Sequence, residues 1–129
     1  MTPNSTLQSE GQRLLIVDDE VELRSLLAMK FSKSGFEVDV AATGEEAIEF
    51  MNSSDYKAIL CDLNLSESMK GGDLHKLVIS KKISSKFIAI TGYAQDSPEV
   101  RAARAEGMKY VFSKPLQIRA ILSLIEDSK

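Results

Sequence analysis

The chain has 129 residues, 43% of them apolar and 27% charged, with a formal charge of −3 at pH 7. That length suits one domain, which can bury roughly two-thirds of its unfolded surface, and leaves no room for separate sensor, catalytic and effector domains. The acidic balance argues against a directly nucleic-acid-binding face, the single cysteine (Cys61) excludes an internal disulfide, and apolar runs of at most four residues exclude a transmembrane helix or signal-peptide core.

Residues 1–12 are polar and read as a loose leader outside the domain. From residue 13 to about 127 two kinds of segment alternate. Leu14-Leu15-Ile16-Val17, Ala58-Ile59-Leu60-Cys61 and Phe87-Ile88-Ala89-Ile90 are short runs apolar on both faces, as central strands of a covered parallel sheet require. Glu37-Val38-Asp39-Val40 alternates, as an edge strand does, and Tyr110-Val111-Phe112 is a shorter fifth candidate.

Between them lie helical stripes. Leu23, Leu26, Leu27 and Phe31 form one core stripe, and Ile118, Ile121, Leu122 and Ile125 another. Thr43-Gly44-Glu45-Glu46 reads as a capping box ahead of Ala47, Ile48 and Met51. Leu74, Leu77 and Val78 give a helix after Gly71-Gly72. Ser97-Pro98 caps a helix over 100–106 that Gly107 closes. Five strand–helix units predict an α/β/α sandwich whose parallel sheet carries helices on both faces. Ligands of such folds bind beyond the carboxyl ends of the strands.

Those ends carry chemistry. Asp18-Asp19 follow the first strand, Asp62 the third, Thr91 the fourth and Lys114 the fifth. Taken singly, each has a plain structural reading. Asp18, Asp19 or Glu20 can cap a helix, Asp62 can open a turn, Thr91-Gly92 can be a strand exit, and Lys114 can be a surface lysine. Taken together, clustered carboxylates resist ionisation unless a cation joins them. Hard oxygen ligands with partial protein coordination suit Mg²⁺. A hydroxyl and an ammonium add donors for a phosphoryl group, and a carboxylate can itself be the nucleophile.

The motifs Leu14–Glu20 (LLIVDDE), Ile59–Leu65 (ILCDLNL), Phe87–Tyr93 (FIAITGY) and Val111–Pro115 (VFSKP) resemble those of the receiver domains of two-component response regulators, similar to the chemotaxis type. The resemblance covers about residues 12–127. It implies the flavodoxin-like receiver fold with sheet order 2-1-3-4-5. It implies that Asp62 accepts a phosphoryl group from a phosphohistidine, that Asp19 binds Mg²⁺ (or Mn²⁺) directly and Asp18 partly through water, and that Asp62 and the Asn64 carbonyl complete the ligands. Leu63, Thr91, Gly92 and Lys114 would surround the phosphoryl group. Tyr93, Val111, Pro115 and Leu116 would belong to the switch surface of the fourth helix, fifth strand and fifth helix, which is also the expected face of any homodimer. The Lys114–Pro115 bond is cis in that family. The implied partners are a histidine kinase or histidine phosphotransfer protein and a downstream protein target. The implied activity is a slow, Mg²⁺-dependent self-modification and not conventional enzymology. With no membrane segment, a cytoplasmic location is expected, either as a stand-alone regulator or as a module of a hybrid kinase, with output through protein contact.

Three departures from the family pattern stand out. The loop after Asp62 lacks the usual Met-Pro pair, and its first glycine, Gly71, comes nine residues on where eight is usual, as if one residue were inserted. Val111 occupies the usual aromatic switch position, so coupling to Thr91 by a swinging ring is expected to be absent or rerouted. Tyr93 stands near the expected path of attacking water. Cys61 is expected to face the core and His75 to be a surface residue without a role. Two other functions fit less well. A haloacid-dehalogenase-type phosphatase also uses an aspartate nucleophile, but needs Asp where this chain has Asn64 and a longer, capped chain. A degenerate receiver acting as a constitutive binding module would not need all five site residues. No phosphate-binding glycine-rich loop is present.

Overall fold

The computed structural model describes residues 12–65 and 69–126. Five strands alternate with five helices: β1 (Arg13–Val17), α1 (Val21–Lys33), β2 (Glu37–Ala41), α2 (Gly44–Ser53), β3 (Ala58–Asp62), α3 (Gly71–Ser80), β4 (Lys86–Thr91), α4 (Pro98–Ala105), β5 (Tyr110–Ser113) and α5 (Ile118–Glu126). The sheet order is β2-β1-β3-β4-β5, as the resemblance implied, and every pairing is parallel.

The apolar runs form the middle of the sheet because both of their faces can be covered. Side chains alternate across a strand. Leu15, Val17, Ile59, Cys61 and Ala89 therefore join Ala47, Leu74, Val78 and Val100 of α2, α3 and α4 in one core. Leu14, Ile16, Leu60, Ile88 and Ile90 join Leu27, Phe31, Ile121 and Ile125 of α1 and α5 in the other. Each of these residues is almost wholly withdrawn from solvent. At roughly 25 cal/mol per Å² of buried apolar area, these two layers are the main force holding the sheet together. The sparsely apolar β2 lies at the sheet edge, where its register pairs Glu37 with Arg13.

The caps form where the sequence places them. Thr43 Oγ1 accepts from the Glu46 N–H at 3.1 Å, and the Glu46 carboxylate accepts from the Ala42 N–H at 2.7 Å. Ser97 Oγ accepts from the Val100 N–H at 3.1 Å, with Pro98 in the first turn. Gly107 has φ +102°, the left-handed value that ends a helix.

Two expectations are corrected. Leu26 is exposed, not core, because consecutive helical residues stand about 100° apart and Leu27 takes the inward position. His75 is buried, not on the surface. Its ring packs edge-on against Phe87, with centroids 5.0 Å apart, because α3 turns this side toward β4. Cys61 faces the core as expected, with burial pushing its thiol pKa far up. No helix among the described residues is long and apolar enough to cross a membrane.

Candidate functional site

Asp62 and Thr91 are the last residues of β3 and β4, and Asp18 directly follows β1, so neighbouring strands end together and present these side chains at one edge. All three are buried. Asp18 remains in the sheet through its N–H, which donates to the Ala41 carbonyl at 3.0 Å. Its Oδ1 accepts from the Glu20 N–H at 2.8 Å, forming an Asx turn that starts α1. The capping reading and the functional reading of this residue thus coexist. Asp18 Oδ2, in contrast, is buried and has no hydrogen-bond donor among the described residues.

Asp18 belongs to a cluster. Carboxylate oxygens of Asp18, Glu20 and Asp62 lie within 4.8 Å of one another. Burial, reinforced by the charges of Asp62 and Glu20, raises the Asp18 pKa to about 6, against the opposing Glu20 N–H and Lys114. A buried, unsatisfied oxygen among hard anionic ligands fits a divalent cation such as Mg²⁺. Glu20 was not among the ligands the sequence suggested. Its signal was its place in the Asp18-Asp19-Glu20 run, where a helix start brings it back over the strand end. Asp19 lines the mouth of the same cleft.

Lys114 supplies the positive charge. Its Nζ lies 2.9 Å from Glu20 Oε1, 3.5 Å from Asp62 Oδ2 and 3.9 Å from Asp18 Oδ2. Partial burial works against its charge, but the Glu20 hydrogen bond and the three nearby carboxylates outweigh it and raise the pKa. The Lys114 N–H donates to the Thr91 carbonyl at 2.8 Å, fixing where the side chain leaves the backbone, and the Lys114–Pro115 bond is cis. Pro115 is exposed, and Leu116 packs toward the core shared with α1 and α5.

Asp62 presents its two oxygens differently. Oδ1 accepts from the Asn64 N–H at 2.8 Å, whereas Oδ2 faces Lys114. The Leu63 N–H is committed to the Ile90 carbonyl at 2.8 Å, so it is Asn64 and not Leu63 that donates to this carboxylate. The Thr91 hydroxyl donates to Asn64 Oδ1 at 3.4 Å and accepts from the Tyr93 N–H at 3.2 Å. Asp19, Glu20, Asp62, Asn64, Gly92, Tyr93 and Lys114 line one open cleft of about 460 Å³. Val111 lies apart from it, buried in the core of α2, α3 and α4.

Described residues on either side of the loop after Asp62 are anchored. Leu65 is fully buried, and Lys70 Nζ donates to the Leu65 carbonyl at 2.6 Å. Residues 66–68, where the apparent insertion falls, are outside the described residues. Gly71 opens α3 against the backbone of Asp62 and Leu63. A Cβ there would stand 2.6 Å from the Asp62 carbonyl oxygen and 2.8 Å from Leu63 Cα. The sequence showed that glycine but not the contact that requires it.

Comparison with known proteins agrees with this geometry. The family model of the response regulator receiver domain matches residues 14–126. The regulatory protein AtoC of Escherichia coli strain K12 is 30% identical over 114 residues, 88% of this chain and 24% of AtoC. The transcriptional regulatory protein SrrA of Staphylococcus aureus strain NCTC 8325 / PS 47 is 31% identical over 112 residues, 87% of this chain and 45% of SrrA. The CAI-1 autoinducer sensor kinase/phosphatase CqsS of Vibrio cholerae is 28% identical over 116 residues, 88% of this chain and 17% of CqsS. The chain thus spans less than half the length of each of these relatives. Among solved structures, a CheY-like receiver domain protein of Methanospirillum hungatei JF-1 superposes with a TM-score of 0.79 at 28% identity, covering 90% of this chain and 91% of its own. TrrA of Thermotoga maritima, solved in complex with Mg(2+)-BeF, gives 0.76 at 25% identity over 92% of this chain and 99% of its own. With its strand order, acidic strand ends and nearly full-length family match, the chain belongs to the response regulator receiver domains, the phosphoacceptor switches of two-component systems.

Proposed function

We propose that Asp62 is the phosphoacceptor. The observation that carries this is its setting: a buried carboxylate at a strand end, with one oxygen held by the Asn64 N–H and the other 3.5 Å from the Lys114 ammonium. Oδ2 is then the nucleophile. It forms a bond to phosphorus as the phosphorus–nitrogen bond of a phosphohistidine donor breaks, leaving an acyl phosphate. Lys114 neutralises charge on the transferring group, and the Thr91 hydroxyl and the Gly92 backbone face it from the end of β4 and the turn that follows. Attack by water on the phosphorus then breaks its bond to Oδ2, releasing inorganic phosphate and restoring the carboxylate.

Asp18, Glu20 and Asp62 would hold Mg²⁺, or Mn²⁺, with Asp19 and the Asn64 main chain from the same cleft completing the set. When bound, the ion supplies charge neutralisation between the carboxylates and the incoming phosphoryl oxygens. The protein's contribution is to hold these acids together before the donor arrives.

On this reading the donor is a histidine kinase or a histidine phosphotransfer protein, in the cytoplasm. The phosphorylated state is read by a downstream protein or a second copy through α4, β5 and α5, because added charge at Asp62 biases a two-state surface. The test is incubation with Mg²⁺ and phosphoramidate, followed by intact-mass spectrometry. A single phosphoryl increment, absent in Asp62→Ala, is expected. An increment that persists in Asp62→Ala refutes the assignment.

A further inference from the structure

The turn between β4 and α4 is tied to β5 by a file of hydrogen bonds starting at Thr91. The Thr91 hydroxyl accepts from the Tyr93 N–H at 3.2 Å. The Tyr93 carbonyl accepts from the Ser113 hydroxyl at 2.6 Å. Ser113 Oγ accepts from Gln95 Nε2 at 2.8 Å, and the same amide also reaches the Val111 carbonyl at 3.0 Å. Gln95 Oε1 accepts from Arg104 Nη2, on α4, at 2.8 Å. A hydroxyl has one proton, and Ser113 gives its proton to the Tyr93 carbonyl, so toward Gln95 it can only accept.

The file runs beside Val111, where no ring is available to swing. Its far end is on α4, and its near end is the hydroxyl nearest the acceptor's partners. At rest that hydroxyl is occupied by Asn64 Oδ1 and the Tyr93 N–H. To donate to a phosphoryl oxygen, Thr91 must give up Asn64 Oδ1, because its one proton cannot serve both.

We infer that Ser113 and Gln95 are positioning residues for Thr91, latching the β4–α4 turn in its resting arrangement through polar contacts. The inference rests on Asp62 being the phosphoacceptor. A latch that stabilises the resting arrangement makes the phosphorylated one less populated, and weakens any ligand that selects it by the same factor. Removing the latch therefore strengthens binding of a phosphoryl mimic.

The experiment is a beryllofluoride titration of the whole chain with saturating Mg²⁺, followed by amide NMR, with thermal unfolding measured in parallel. Ser113→Ala and Gln95→Ala are each expected to bind about five-fold more tightly than wild type, the fold-change of one net hydrogen bond. Ser113→Thr, which keeps the hydroxyl, is expected to match wild type. The double variant is expected to gain no more than either single one, because both interrupt the same file. A Ser113→Ala protein that is less stable yet binds no more tightly refutes the latch, as does a fully additive double variant. Wild type that shows no shifts around Asp62 refutes the acceptor assignment and the latch with it, an outcome distinct from equal binding by wild type and variants.

Discussion

The Lys114 ammonium sits 2.9 Å from Glu20 Oε1 and 3.5 Å from Asp62 Oδ2, so the most exposed acid of the cluster holds the cation more closely than the buried one. Lys114 is therefore the counter-ion of the whole acidic group. Removing it leaves three mutually repelling carboxylates, one of them fully buried.

Lys114→Ala should destabilise the metal-free protein by about 1–2 kcal/mol, below the cost of breaking a fully buried pair because the lysine is partly solvated. Mg²⁺ then takes over the neutralisation that the lysine supplied. It should raise the thermal midpoint of Lys114→Ala more than that of wild type, since a ligand of the folded state stabilises by mass action. Calorimetric scans with EDTA and with Mg²⁺ check this. Equal Mg²⁺ shifts in the two proteins would count against a shared cluster.

The two adjacent glycines opening α3 should behave oppositely. Gly71→Ala drives a Cβ into the Asp62 and Leu63 backbone, which has no flexible end to give way. A loss of about 1–3 kcal/mol is expected, as for an overpacked core site. At Gly72 the nearest atom to a Cβ is Glu106 Oε1, 3.9 Å away. Gly72→Ala should stabilise by about 0.5–1 kcal/mol through helix propensity and lost chain entropy. Urea unfolding separates them, and similar midpoints for the two variants would contradict the contact.

His75 gives a pH signature. Burial lowers its pKa below the ordinary 6.5, against a smaller opposing effect of Glu106, and its Nδ1 has no hydrogen-bond partner among the described residues. The unfolded chain then binds the proton more readily than the folded one. The stability tied to neutral His75 is complete above about pH 6.5 and falls as pH drops through that value toward the folded pKa. Asp18 acts in the opposite sense, since its folded pKa is raised. The difference between wild type and His75→Leu isolates the histidine. Wild type should lose stability relative to the variant between pH 7.5 and pH 5, and parallel curves by urea titration would rule this out.

Tyr93 lines the same cleft as Asp62 and is 42% exposed, so on the proposed reading it is a candidate to limit water's approach to the phosphoryl group. Excluding water slows hydrolysis of a reactive intermediate. Phospho-Asp62 should decay several-fold faster in Tyr93→Ala than in wild type, followed by loss of the phosphoryl mass increment with time. Identical decay would remove the ring from this role.

The sequence by itself pointed to the layered architecture, because short apolar runs alternating with helical stripes suit a parallel sheet covered on both faces, while the strand order came from the family resemblance. It also placed Asp18, Asp62, Thr91 and Lys114 at strand ends, since that position follows from where each apolar run stops. Leu26, His75 and Glu20 were settled only by tertiary structure. A helical stripe does not say which of two adjacent leucines turns inward. A lone histidine carries no pattern, so only the packing of α3 on β4 could bury it against Phe87. Glu20 enters the cluster because α1 starts immediately after β1 and folds that carboxylate back over the sheet edge to Lys114, 94 residues away. Strand-end chemistry is local in sequence and so was legible there, whereas the distances that pair these groups are set by the sheet order and the helix starts.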